Sequence, residues 1–283
     1  LVSGDGAQGT IGRVDLNKRP LTVEDAIATP LDHFRPHGLS LFIDENGQRW
    51  LFAINHPVNR GVDPELVELF RETGPGTFEF VETFASDLIN SPNDLVAVGP
   101  RQFYVANDAV DGGGWKAGAQ QFGIGYSTLV YVDGNDAEIA ADNIASGGGI
   151  NASADGNTLY VAETSAQRLR VLARNPDSGD LTDLGTIDIG TSPDNIDVAA
   201  DGSLWVGAHA NTLKLIQHFI NGTPAPSQVL RVRLAEARAE SIDEVFLDDG
   251  TRISASSVGA NYRDQLLIGS ITDRQVLVCR MSD

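Results

Sequence analysis

One pattern returns along this chain and limits what it can fold into: a Gly or Pro entry, a short apolar strand, a turn with Asp or Asn before Gly, and a second strand ending in small residues. It reads "PHGLSLFIDENGQRWLFAINHP" from Pro36, "SPNDLVAVGPRQFYVANDA" from Ser91 and "GGGINASADGNTLYVAETSAQRLRVLAR" from Gly147. It returns as "SPDNIDVAADGSLWVGAHANTLKLIQHF" from Ser192 and "SASSVGANYRDQLLIGSITDRQVLVCR" from Ser254. The starts lie about 45 to 60 residues apart, the length of a four-stranded propeller blade. Apolar residues alternate with period two throughout, and "RLAEARAE" at 233–240 alone hints at a helical period. Five such units and the N-terminal "TIGRVDLN" predict an all-β, six-bladed β-propeller with a central tunnel, its last blade closed by strands from both ends of the chain. A length of 283 residues exceeds the usual size of one domain unless the fold is a barrel, sandwich or propeller. No linker interrupts the repeats, so residues 1–283 read as a single domain.

Charge narrows the partners. Lys and Arg number 20 against 39 Asp and Glu, a formal charge of -19 that repels nucleic acid and anionic membranes and suits cations or neutral ligands. No apolar run approaches the roughly 20 residues of a membrane span, and "LVSGDGAQGT" lacks the features of a signal peptide. A soluble chain is expected, with no membrane span and no nucleic-acid partner. Cys279 is the one cysteine, so no internal bridge can form, and composition alone makes it a buried apolar side chain.

The turns locate side chains. Asn46-Gly47, read as a two-residue hairpin turn with both residues at positive φ, sets His37 directly opposite His56. The same rule at Asp201-Gly202 sets Asp194 opposite His209. Both pairs fall where the first strand of a blade begins, beside the channel that innermost strands line in a propeller. Asn93-Asp94 and Asp194-Asn195 each follow Ser-Pro. Their amide and carboxylate oxygens are hard donors, and calcium takes about six to eight such oxygens. Zinc, which prefers nitrogen and sulfur, fits less well. Either pair alone is most simply an Asx-turn; two matched pairs with two histidine pairings point to a metal.

Other motifs carry less. "GDGAQG" at 4–9 matches G-x-G-x-x-G without a preceding strand or following helix, and no G-x-S-x-G elbow exists. Asn151 and Asn221 head glycosylation sequons, the first inside a strand pattern and the second in an apparent surface loop, "FINGTPAPS". The Gly-rich stretch 111–127, with Trp115, Phe122 and Tyr126, reads equally as a lid over an apolar substrate or an ordinary connection.

In their order, "FRPHGLSLFIDENGQRWLFAINHP", "SPNDLVAVGPRQFYVANDA", "GINASADGNTLYVAE", "PDNIDVAADGSLWVGAHA" and "LLIGS" with "VLVC" resemble the serum paraoxonase/arylesterase family, from about residue 10 onward. The resemblance implies a six-bladed propeller that hydrolyses lactones and aryl esters with one catalytic and one structural calcium. It implies Asn93, Asp194 and Asn195 as ligands of the catalytic ion, and Asp94 with the Leu39 carbonyl as ligands of the structural one. It makes His37 and His56 a histidine dyad and His209 a further active-site histidine. His37 would act as general base, with Asp194 as the rival base.

Departures from the family pattern are specific. Its "NGIN" reads "GGIN" here, so Gly148 stands where a ligand Asn is expected. The family's Glu-Asp ligand pair, and the disulfide partner expected for Cys279, lie upstream of this chain's first residue. The expectation is therefore a chain without its N-terminal closing segment, Cys279 bridged to that segment, and a secreted, glycosylated protein. The substrate would be a small lactone or ester. The competing reading is a non-catalytic propeller that keeps calcium for stability and binds a ligand or partner. A third is a related propeller enzyme acting on sugar lactones.

Overall fold

Period-two patterning becomes a series of antiparallel meanders. The structure is a computed structural model and describes residues 8–109 and 123–281. Strands β3 (Pro36–Ile43), β4 (Arg49–Asn55), β5 (Leu66–Gly74) and β6 (Thr77–Ala85) form one four-stranded sheet in chain order. The same order recurs in β7 (Pro92–Gly99), β8 (Gln102–Asn107), β9 (Ser127–Asp133) and β10 (Asp136–Ile144). It recurs again in β11 (Gly147–Ala152), β12 (Thr158–Glu163), β13 (Arg168–Arg174) and β14 (Leu181–Asp188). A fourth sheet holds β15 (Ser192–Val198), β16 (Leu204–His209), β17 (Ser227–Ala235) and β18 (Arg238–Asp248), and a three-stranded one holds β19 (Ser256–Tyr262), β20 (Gln265–Ser270) and β21 (Leu277–Arg280). These are five blades of a β-propeller fold, and each contains one of the five sequence repeats.

Burial follows position within a blade. The second strands β4, β8, β12 and β16 are buried almost throughout, as strands covered on both faces must be, whereas β6, β14 and β18 alternate and expose many side chains. The chain divides into two compact units, Leu1–Val105 with Val130–Ile139, and Ala106–Leu129 with Ala140–Asp283. The first has a core of Phe52, Ile54, Leu69, Phe84 and Phe103, with Phe84 and Phe103 in edge contact at 5.1 Å. The second has Leu169, Val171, Ile196, Val206 and Val232 in one cluster and Trp205, Val229, Phe246 and Ile268 in another.

Three expectations are corrected. "TIGRVDLN" supplies β1 (Gly12–Val14), which pairs with β2 (Val23–Asp25) as a separate two-stranded ribbon; among the described residues no N-terminal strand joins the last blade. "RLAEARAE" is the tip of the β17–β18 hairpin, where Ala235 pairs with Arg238 and Glu236 takes positive φ. The helix lies instead at α1 (Thr212–Asn221), in a stretch read as strand. The Asn211 side chain caps the Lys214 N–H at its start and Gly222, in the left-handed region, ends it. Asn221 is thus the exposed last residue of a helix, not part of a loop. Trp115 and Phe122 of the Gly-rich stretch fall outside the described residues.

Candidate functional site

In the first blade the turn after β3 has three residues, not two. Asp44 N–H donates to Gln48 O at 3.0 Å, Gly47 N–H donates to Asp44 O at 2.9 Å, and Gly47 alone takes positive φ, at 78°. That loop offsets the register by one residue from the two-residue reading, which by itself would turn every side chain to the other face. A bulge between Pro36 and Leu39 restores the face. The fourth blade repeats the device: Gly202 at φ 80° closes a three-residue loop, Ser192 rather than Asp194 pairs with His209, and a bulge falls between Pro193 and Ile196. The backbone pairings differ from expectation while both side-chain pairs still form.

His56 follows directly on β4. Asn55, the last residue of that strand, accepts the Arg35 N–H at 2.8 Å and donates to Glu68 at 2.8 Å, and the His56 N–H donates to Arg35 O at 3.2 Å. The His37 and His56 rings lie 4.9 Å apart, tilted by 47°. His56 is buried, and its Nδ1 meets the Glu65 carboxylate at 2.6 Å. Arg60 Nε donates to the other Glu65 oxygen at 2.9 Å. His56 Nε2 is buried without a hydrogen-bond partner. Burial pushes the Glu65 carboxyl up, but the hydrogen bonds and charges of His56 and Arg60 outweigh it and hold the group below its ordinary range.

The same unit carries Leu39, Asn93 and Asp94. A Cβ on Gly38 would sit 2.7 Å from both Asn93 O and Asp94 Oδ1, so glycine is what lets the start of β3 close on the start of β7. Leu39 is thereby carried beside a buried carboxylate.

The second unit carries Asp194, Asn195, His209 and Gly148. Buried His209 meets Asp194 Oδ2 through Nε2 at 3.1 Å, and its Nδ1 has no partner. Asn195 Nδ2 donates to Ser257 O at 3.1 Å, which fixes the amide and turns its oxygen the other way. A Cβ on Gly148 would lie 3.4 Å from Asp194 Oδ1 but 2.3 Å from Thr164 Oγ1, a buried hydroxyl without a partner. Thr164 therefore occupies the space into which a side chain at 148 would project.

Within each unit these donors fit calcium in kind: carboxylate, amide and carbonyl oxygens, with an orphaned hydroxyl beside Asp194. Among the described residues no three His, Cys, Asp or Glu side chains cluster as a metal site, so any ion here leans on amide and carbonyl oxygens. Sequence reasoning missed Glu65, Arg60 and Thr164. Glu65 stands nine residues beyond His56 across a loop, and no spacing rule links them. Cys279 is a free, half-buried thiol on β21, and the chain has no second cysteine to bridge it. Asn151 is half-buried on β11 and donates to Ile196 O at 2.9 Å, which agrees with an inaccessible sequon. No helix among the described residues is long and apolar enough to cross a membrane.

A family model described as Arylesterase matches residues 5–281. Serum paraoxonase/arylesterase 2 of Rattus norvegicus is 31% identical over 279 residues, covering 96% of this chain and 77% of that protein. Serum paraoxonase/arylesterase 1 of Homo sapiens is 31% identical over 280 residues with the same coverage. Among solved structures, a periplasmic gluconolactonase of Pseudomonas aeruginosa shares the fold with a TM-score of 0.55 at 12% identity, over 98% of this chain and 89% of that one.

Proposed function

Because the chain belongs to the arylesterase family, we propose that it is a calcium-dependent hydrolase of small carboxylic esters and lactones. The observation that carries the reading is the His37–His56 pair, with a bare ring nitrogen on a buried His56; a purely structural calcium site has no use for it. Asn93, Asp194 and Asn195 are the proposed ligands of a catalytic ion, and Asp94 with the Leu39 carbonyl those of a structural one. Calcium, when bound, supplies a Lewis acid that stabilises negative charge on the carbonyl oxygen. His37 takes a proton from the attacking water, and His56 orients it and accepts from it. Imidazole suits that exchange near neutral pH.

The fold we propose for this activity is a six-bladed propeller with a central tunnel, forming one domain over residues 1–283. We place the protein in an extracellular or secretory compartment, with Cys279 bridged to a segment N-terminal to this chain and Asn221 as its exposed glycosylation site. Turnover of phenyl acetate and of short and long aliphatic lactones, with calcium and then with excess chelator, tests the activity. Chelator-sensitive hydrolysis is expected. A calcium-loaded protein that turns over none of them supports the second reading, a non-catalytic calcium-stabilised propeller, which Gly148 in place of a ligand Asn favours.

A further inference from the structure

Glu65 has no part in the reaction as set out above, yet both of its carboxylate oxygens are engaged. It sits one residue before β5, at the end of the loop that follows His56. Its side chain is 3% exposed, and each oxygen has a partner, Arg60 Nε at 2.9 Å on Oε1 and His56 Nδ1 at 2.6 Å on Oε2. The lowered carboxyl keeps it ionised, so both oxygens accept. The proton in the 2.6 Å contact then belongs to the histidine. A neutral imidazole has one N–H, so with Nδ1 protonated the other nitrogen carries a lone pair. That nitrogen, Nε2, is buried and unpartnered, with the His37 ring beside it. Among the described residues Glu65 and the His37 ring contact His56, Arg60 reaches it through Glu65, and Arg35 presents its backbone carbonyl.

We propose that Glu65 is a positioning residue: it fixes His56 in the Nδ1–H tautomer and so keeps Nε2 as the proton acceptor of the dyad. The catalytic consequence rests on the reading above; the tautomer does not. Arg60 makes the assignment testable with an isosteric change. In Glu65→Gln the Arg60 N–H still needs an acceptor, so the amide oxygen stays on Arg60 and the NH2 group turns to His56. Nδ1 must then accept, and the ring proton moves to Nε2. Adding Arg60→Ala lets the amide turn over, presents oxygen to His56 and returns the proton to Nδ1.

The experiment is 15N NMR of the imidazole rings in the calcium-loaded protein, five histidines in all, with His56 assigned by its loss in His56→Gln. Phenyl acetate kinetics accompany it. Expected are a protonated Nδ1 on His56 in the parent protein, a protonated Nε2 in Glu65→Gln, and a return to Nδ1 in the double variant. A carboxylate-to-amide change that inverts a histidine tautomer costs up to about 10,000-fold in kcat in a serine protease. Here kcat is expected to fall by roughly 100-fold or more with KM nearly unchanged, and to recover at least about 10-fold in the double variant. A parent protein with the proton on Nε2 overturns the proposal even if the variant fails to fold, and so does an unmoved proton in Glu65→Gln. A moved proton with unchanged kcat upholds the control of tautomer and removes the dyad from the proton path, which separates failure of the catalytic reading from failure of this one.

Discussion

Two carboxylate–histidine pairs in this protein share their chemistry and are wired in opposite senses. In the first blade His56 uses Nδ1 on Glu65 and leaves Nε2 bare; in the fourth, His209 uses Nε2 on Asp194 and leaves Nδ1 bare. The carboxylates differ more than the histidines. Glu65 is buried and held by both a histidine and an arginine, whereas Asp194 is half-buried, holds one histidine and lies beside the backbone of Gly148, which carries no side chain to reach it. A buried carboxylate with a donor on each oxygen is committed first to orienting those neighbours. One with lone pairs to spare can also hold a cation. The difference teaches that burial of the partner histidine, common to both sites, does not define the role; the burial of the carboxylate and the number of its oxygens already engaged do.

The contrast can be broken, starting with the largest effect. Asp194→Asn is expected to abolish calcium-dependent turnover, a loss of about 1,000-fold or more, with calcium binding lost in calorimetry. Retained turnover would put Asp194 on the same footing as Glu65, as an orienting group. His37→Gln should lower kcat by about 100- to 10,000-fold while calcium affinity stays as in the parent. Full activity in that variant would shift the base to Asp194, the rival assignment. His209→Gln acts one bond away from the proposed ion, so calcium affinity should weaken by about 10- to 100-fold, with kcat at saturating calcium within a few-fold of the parent. An unchanged affinity would mean that His209 does not support Asp194.

Smaller effects sharpen the same comparison. Gly148→Asn would restore the amide expected from the family pattern, but its Cβ meets Thr164 Oγ1 at 2.3 Å. A loss of about 1–3 kcal/mol in urea unfolding is expected, relieved by Thr164→Ala in the same chain; a fully stable single variant would show that Thr164 yields freely. The last effect is acid stability. Glu65 has its folded pKa lowered, so its contribution is fully present above the ordinary carboxylate range and disappears as pH falls through the lowered value. Thermal melts of Glu65→Gln should therefore lack part of the acid-side fall seen in the parent. Parallel acid limbs would contradict an ionised Glu65.

Much of the fold was legible because its signals are local. Alternation marked the strands, and Gly47 and Gly202 marked the two hairpins. What failed did so for physical reasons. A turn read as two residues contained three because Asn46 and Asp201 keep ordinary φ and only the glycine takes the left-handed region. The resulting one-residue slip was extended to two by bulges no pattern announces, at Pro36/Leu39 and Pro193/Ile196, which returned the side chains to the expected face. α1 was read as strand although Leu213, Ile216, Phe219 and Ile220 recur at helical spacing and Asn211 and Gly222 were legible as caps; its apolar residues stay exposed, so the stripe marks no core element.

The sequence by itself determined the five blades and the acidic balance and pointed to His37 beside His56 and Asp194 beside His209, although the bulges that bring those side chains together belong to the tertiary structure. Only the tertiary structure decided that Glu65 and Arg60 close on His56, that Thr164 fills the space beside Gly148, and which ring nitrogen of each histidine is left bare. Those contacts depend on where a loop returns and how a bulge turns a strand, and the directional reach of a hydrogen bond, about 3 Å, leaves no trace in residue spacing.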